Sequence, residues 1–224
     1  MRKNIVVAID GPAGSGKSTT ARLVAQKLGL SYIDSGAIYR TFALQFLKKG
    51  IQINDEAAIE QLLEHTRIDI EKSTNGCDLI LNGKDVSKDI RSLEVTAKVS
   101  EVSEHPKVRQ VVTRKLRQIA ENKSIVVEGR DIGTVVFPDA DLKIYLEASI
   151  QERAKRRHSE LKACGIDTAQ EKIQFEIAKR DKHDSERKFS PLSKAHDAIL
   201  LNNTNLSIEQ AVNFIVKKAN KLLY

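Results

Sequence analysis

Residues 11–18 read Gly-Pro-Ala-Gly-Ser-Gly-Lys-Ser and satisfy the spacing G-x-x-x-x-G-K-[ST] in full. Glycines at these positions let successive backbone N–H groups turn toward one anion, where side chains would collide. The lysine and hydroxyl that follow supply a cation for β- and γ-phosphates and an oxygen ligand for Mg²⁺. The context agrees with this chemistry. An apolar, β-branched run, Ile5-Val6-Val7-Ala8-Ile9, precedes the loop and ends in Asp10. Thr19–Leu28 follows with apolar residues at helical spacing and Gly29 as a stop. Strand, glycine loop and helix in that order make a phosphate cradle, because the helix N-terminus adds unpaired donors and a positive dipole. The expected donor-binding residues are Gly11, Pro12, Ala13, Gly14, Ser15, Gly16, Lys17, Ser18 and Thr19, with Ser18 as the metal ligand.

Such a cradle serves GTPases, motor and transport ATPases, and small-molecule kinases. Guanine reading usually uses Asn-Lys-x-Asp, and Asn122-Lys123-Ser124-Ile125 lacks the acid. Motor ATPases end a core strand in an acid pair, which Val126-Val127-Glu128 matches only in part. Arginines stand at element ends instead: Arg40, Arg109, Arg130, Arg180 and Arg187. Hydrolysis needs a poised water. Transfer between two phosphorylated molecules needs cations to bring two anions together. A phosphate acceptor has a second pKa near 6, so it is already an anionic nucleophile at neutral pH and needs no general base. His65, His105, His158, His183 and His196 share no spacing and read as surface or supporting residues.

Three further constellations could hold an acceptor. Asp34-Ser35-Gly36-Ala37-Ile38-Tyr39-Arg40 follows a short strand, and Arg40 can grip an anion or carry a solvated helix charge. Glu128-Gly129-Arg130-Asp131 ends another strand, where Arg and Asp can hold a phosphate and a base amine, or simply pair with each other. Arg180, Asp184 and Arg187 fall on one helix face, as binding groups or as a surface salt bridge.

These residues need a scaffold that gathers strand ends. Strands are expected at Asn4–Asp10, Ser31–Asp34, Ser124–Glu128, Leu142–Glu147 and Ala198–Asn202. All are short and apolar, as strands buried on both faces are. Helices are expected at Lys17–Leu28, Ala37–Lys49, Asp55–His65, Leu93–Glu121, Ile150–Ala163, Ala169–Arg187 and Ile208–Leu222. The alternation implies an α/β, doubly wound parallel sheet with ligands at the strand C-termini. Residues 67–90 break the alternation. The turns Asn75-Gly76 and Asn82-Gly83 predict a small antiparallel meander inserted into the core, either decorative or a substrate-side flap.

The chain has 224 residues, 41% of them hydrophobic, which suits one α/β domain with insertions. No internal repeat and no low-complexity linker divides it. No apolar run approaches transmembrane length, and the short run after Met1-Arg2-Lys3-Asn4 leads straight into the glycine loop, unlike a signal peptide. Cys77 and Cys164 form no metal pattern and read as reduced cytoplasmic thiols. The net charge of +7 fits either nucleic acid or a pocket for several phosphates. The basic stretch Arg153–His158 is bounded by Glu152 and Glu160, and aromatics for base stacking are few, which favours anionic small molecules over nucleic acid.

The motifs GPAGSGKST, DSGAIYR, IRSLEVTAKVS, PKVR, VVEGRDIGTVVFPDADLKIYLEAS and RDKHDSER followed by FSPLSKAHDAILLN run from Asn4 to Leu222. Together they resemble the bacterial cytidylate kinases, in the long form with a substrate-side insertion. The resemblance implies a three-layer phosphate-loop fold with a five-stranded parallel sheet, a small antiparallel β insertion and a short helical lid. It implies one domain over residues 1–224, with a core of 1–35, 101–150 and 188–224. The monophosphate-binding region is 36–100 and the lid is 151–187. It implies Mg²⁺-dependent phosphoryl transfer from ATP to CMP and dCMP by a cytoplasmic monomer that uses neither nucleic acid nor membrane. By the same resemblance, Ser35, Ser100, Arg109 and Asp131 surround the cytosine. Arg180 and Asp184 hold the sugar, and Arg40, Arg130 and Arg187 hold the acceptor phosphate. The basic helix carrying Arg153, Arg156 and Arg157 is the lid over the donor triphosphate. Lys17, Arg130, Arg187, Arg153 and Arg157 form the expected catalytic set. One departure is visible: Leu201-Asn202-Asn203-Thr204 stands where the family usually has Asp followed by Ser or Thr, near the expected adenine edge. Kinases for UMP or AMP, and a nucleotide-gated binding protein, are the rival readings.

Overall fold

In chain order the elements are β1 (Val6–Asp10), α1 (Lys17–Leu28), β2 (Ser31–Asp34), α2 (Ser35–Lys49), α3 (Glu56–Glu64), β3 (Ile68–Ser73), β4 (Gly76–Leu81), β5 (Lys84–Asp85), α4 (Leu93–Glu104), α5 (Pro106–Ala120), β6 (Ile125–Gly129), β7 (Leu142–Glu147), α6 (Ile150–Ala163), α7 (Gln170–Glu186), β8 (Ile199–Asn202) and α8 (Ile208–Leu223). A 3₁₀ turn at Asp89–Arg91 and a π-helical turn at Ile132–Val136 complete the chain. The computed structural model describes residues 4–73, 76–121, 123–163 and 165–223. Met1-Arg2-Lys3, Asn75, Asn122 and Cys164 of the sequence reading lie outside them.

The five-stranded sheet has the order β2-β6-β1-β7-β8. Its central strand β1 pairs in parallel with β6 (Ile9 opposite Glu128) and with β7 (Ile9 opposite Ile144). That position explains the uninterrupted apolar run: Val7, Ala8 and Ile9 have no solvent face. Helices α1 and α8 bury one stripe each, including Ala21, Val24, Val212 and Ile215, in the same core as Val7, Ile9 and Leu146.

The chain separates into two compact units, Met1–Tyr32 with Asn122–Tyr224, and Ile33–Glu121. Residues 101–121, expected with the sheet, belong to the second unit. That unit buries Ile38, Phe42 and Phe46 of α2 and Val108, Val112 and Leu116 of α5. Its antiparallel meander, β3-β4-β5, turns at Asn82-Gly83. Both turn residues have positive φ (50° and 82°), the backbone that Asn-Gly adopts most readily.

Three expectations change. The single helix over Leu93–Glu121 is two helices, α4 and α5, broken at His105. Pro106 lacks an N–H and holds His105 extended (ψ 122°), so the chain restarts with Pro at the first helical position. His105 is buried, with Nε2 3.1 Å from Glu56 Oε1, and is no surface residue. Helix α2 begins at Ser35, two residues early, because Asp34 accepts from the Ala37 amide at 2.9 Å and caps it.

Phe42 is 1% exposed, whereas Leu200 on β8 is 50% exposed. Phe42→Ala should lower unfolding stability by about 3–5 kcal/mol, and Leu200→Ala by well under that, as urea denaturation would measure.

Candidate active site

The glycine loop joins β1 to α1 and is held from outside by its carbonyls. Arg153 Nη1 donates to Ala13 O (3.0 Å), Asn203 Nδ2 to Ser15 O (2.8 Å) and Lys17 Nζ to Pro12 O (2.8 Å). Gly11 must be glycine: at its φ of 153°, a Cβ would lie 2.0 Å from Leu146 O. Helices α2, α3 and α4 have side-chain caps at Asp34, Asp55 and Ser92. Helix α1 starts at Gly16 (φ 87°) with no side-chain cap. Its first amides therefore keep their donor capacity for an anion. The buried Ser15 hydroxyl also has no hydrogen-bond partner among the described residues.

Burial pushes the Lys17 ammonium down to about 7, and the nearby Arg130 adds repulsion that Glu128 only partly offsets. A bound polyphosphate would supply the negative charge that favours the ammonium again. Ser18 Oγ donates to Glu128 Oε1 at 2.6 Å, which joins the loop to the end of β6. Just beyond, Arg130 Nε donates to Asp184 Oδ2 at 2.8 Å, and Arg187 Nη2 lies 3.5 Å from Asp131 Oδ1. Of the two sequence readings of Arg130 and Asp131, pairing with each other does not occur: the two residues form crossed pairs with Asp184 and Arg187. Burial opposes the Arg130 charge, but Asp184 more than compensates and raises it. Burial likewise opposes ionisation of Asp184, yet Arg130 holds it below the usual carboxylate range. Arg180 contributes to the field at both Lys17 and Asp184. Helix α7 ends at Glu186, one residue before Arg187, which is its C-cap.

The three lid arginines part company. Arg153 is buried, donating to Ala148 O, Ala13 O and Asp181. Arg156 donates to Asn203 O at 3.0 Å. Arg157 is turned outward to Glu160. Asn203, in the stretch Leu201-Asn202-Asn203-Thr204 singled out in the sequence, braces the loop through Ser15 O.

The second unit places its own set on α2, α4 and α5. Ser35 is buried in the first turn of α2, and Arg40 Nη2 is 2.8 Å from the capping Asp34. Arg109 is buried, donates to Ser103 O at 2.9 Å and lies 5.4 Å from the Tyr39 ring centre. Ser100 is half-buried on α4.

Two acids escaped the sequence reading. Asp181 accepts from the Ala13 amide at 3.2 Å and pairs with Arg153. Asp10 accepts from the Ile132 and Gly133 amides at 2.8 and 2.7 Å. Burial pushes the Asp10 carboxyl up to about 6 against those two bonds. Its position at the end of the central strand, beside the loop, is the signal that could have found it.

An uncapped helix behind a glycine loop, a buried lysine and a hydroxyl–carboxylate pair at one edge of a parallel sheet define a phosphate-loop kinase site. A solved gluconokinase from Sinorhizobium meliloti 1021 shares the fold (TM-score 0.51, 12% identity, 100% of this chain and 95% of that one). The family model for cytidylate kinase matches residues 7–221. The chain is 47% identical to the cytidylate kinases of Geobacillus sp. (strain WCH70) and Lysinibacillus sphaericus (strain C3-41), over 99% of this chain and 99% of each relative. It belongs to the cytidylate kinase family.

At pH 8 most Lys17 is neutral in the free protein, so ATP binding should take up protons there, approaching one per site. The uptake should shrink toward pH 6, where Lys17 is already charged. Titration calorimetry in buffers of different ionisation enthalpy reads it directly; no uptake at pH 8 would contradict the assignment.

Proposed function

We propose that this protein transfers the γ-phosphoryl group of ATP to CMP and dCMP, giving ADP and CDP or dCDP. The observation that carries this is a set of cations in one unit: Lys17 in the loop after β1, Arg130 just past β6, and Arg187 just past α7 beside Asp131, inside a chain of the cytidylate kinase family. The donor triphosphate takes Gly11–Thr19. For CMP we carry over Ser35, Arg40, Ser100, Arg109, Arg130, Asp131, Arg180, Asp184 and Arg187 from the resemblance, and Lys17, Arg130, Arg187, Arg153 and Arg157 as the groups that stabilise transfer. Arg130 and Arg187, held by Asp184 and Asp131, exchange those carboxylates for the acceptor phosphate when substrate enters. The acceptor phosphate attacks as an anion, so positioning and charge neutralisation carry the catalysis.

Asp131 selects the base. A carboxylate accepts from the exocyclic amine of cytosine, whereas uracil presents a carbonyl there and leaves two acceptors facing. The Ser18 hydroxyl beside the Glu128 carboxylate is a hard oxygen donor set that fits Mg²⁺. When bound there, Mg²⁺ neutralises charge on the β- and γ-phosphates. The substrates are small nucleotides, and a cytoplasmic monomer is the proposed working form. Among the described residues, no helix is long and apolar enough to cross a membrane.

ADP release should be fast with CMP or dCMP, slower with UMP, and near background with AMP or GMP. Release that ignores every monophosphate would overturn the proposal. Asp131→Asn should lower kcat/KM for CMP and raise the relative use of UMP, since the amide donates where the carboxylate only accepts.

A further inference from the structure

Asp131 stands at the N-cap of the π-helical turn Ile132–Val136 (φ −144°, ψ 25°), yet its own carboxylate makes no capping bond. An Asp at such a position ordinarily accepts from an amide two or three residues on. Here the first two amides of the turn, Ile132 and Gly133, donate instead to Asp10 Oδ1 and Oδ2, from a strand 122 and 123 residues away. Asp10 is 5% exposed, so these bonds are not shared with bulk water. Gly133 permits the approach: an added Cβ would lie 3.1 Å from the Lys143 side chain and 3.4 Å from Asp10 Oδ2. The turn also closes on the Asp131 carbonyl, which accepts from Val135 and Val136. The backbone of Asp131 is therefore fixed while its carboxylate is kept out of the cap, within 3.5 Å of Arg187.

We propose that Asp10 is a positioning residue for base selection: by accepting from the Ile132 and Gly133 amides, it fixes the turn that follows Asp131 and so the placement of the carboxylate that accepts from the cytosine amine. This rests on the base-reading role of Asp131 given above. It adds that discrimination between CMP and UMP is set by a residue on the donor-loop strand that touches neither base. Burial works against the Asp10 charge and raises its carboxyl to about 6, and the two amide bonds are what favour the charged form.

The test is a double-mutant cycle on the CMP/UMP ratio of kcat/KM, using wild type, Asp10→Asn, Asp131→Asn and the double variant. Asparagine keeps the size of Asp10 but has one acceptor oxygen, and its NH₂ would face a backbone N–H. Asp10→Asn should reduce the CMP/UMP preference about tenfold or more, and should reduce it no further once Asp131 is already Asn. A ratio within about twofold of wild type in Asp10→Asn, with a collapsed ratio in Asp131→Asn, overturns the role of Asp10 and leaves the base reading standing. An unchanged ratio in Asp131→Asn overturns the base reading itself. Thermal unfolding separates these outcomes from loss of fold. Should Asp10→Asn not fold, Asp10→Ser, whose hydroxyl still accepts one amide, is read the same way.

Discussion

Burying a cation without an anion is costly, and this protein buries several beside one glycine loop. Arg130 pairs with Asp184, Arg187 with Asp131 and Arg153 with Asp181, while Lys17 leans on the Pro12 carbonyl. The carboxylates keep the cations inside the protein and ready for phosphate. Lys17, whose pairing is weakest, shows the cost most openly in its lowered pKa. The rest of the fold serves this charge problem. The parallel sheet brings the ends of β1 and β6 side by side, and α7 supplies two of the three acids, Asp181 and Asp184.

That arrangement also explains what the site does without. The proposed reaction needs no general base, because the acceptor phosphate is its own nucleophile near neutral pH. The energy of the reaction is electrostatic: cations already desolvated and aimed need little reorganisation when charge spreads over the transferring group. On the proposed reading, the carboxylate that waits against Arg187 is also the acceptor for the cytosine amine, so that one residue would link charge storage to recognition.

Much of this was legible in the sequence. The strands β2 and β7 fall where the apolar runs place them, and β1, β6 and β8 within two residues, because short, largely apolar runs between helical patterns mark the strands of a parallel sheet. The glycine loop was legible in every residue, since its chemistry is local. The helix break at His105 was harder. Pro106 was in view, but the apolar spacing of Val95, Val99 and Val102 resumes at Val108, Val112 and Leu116, which conceals the interruption. The crossed pairs could not be read at all. Adjacency suggested Arg130 with Asp131, yet adjacent residues leaving a strand diverge and each finds its partner on or just beyond α7. Asp10 and Asp181 stayed hidden for a related reason: the backbone amides they accept from lie more than a hundred residues away in the chain.

The most direct measurement follows the labelled γ-phosphate of ATP. Incubated with CMP, the enzyme should place the label on the β-phosphate of CDP, and without CMP it should release almost none as inorganic phosphate. Label that appears as inorganic phosphate at the same rate with and without CMP would contradict phosphoryl transfer. It would make the buried cations a site for hydrolysis or sensing instead.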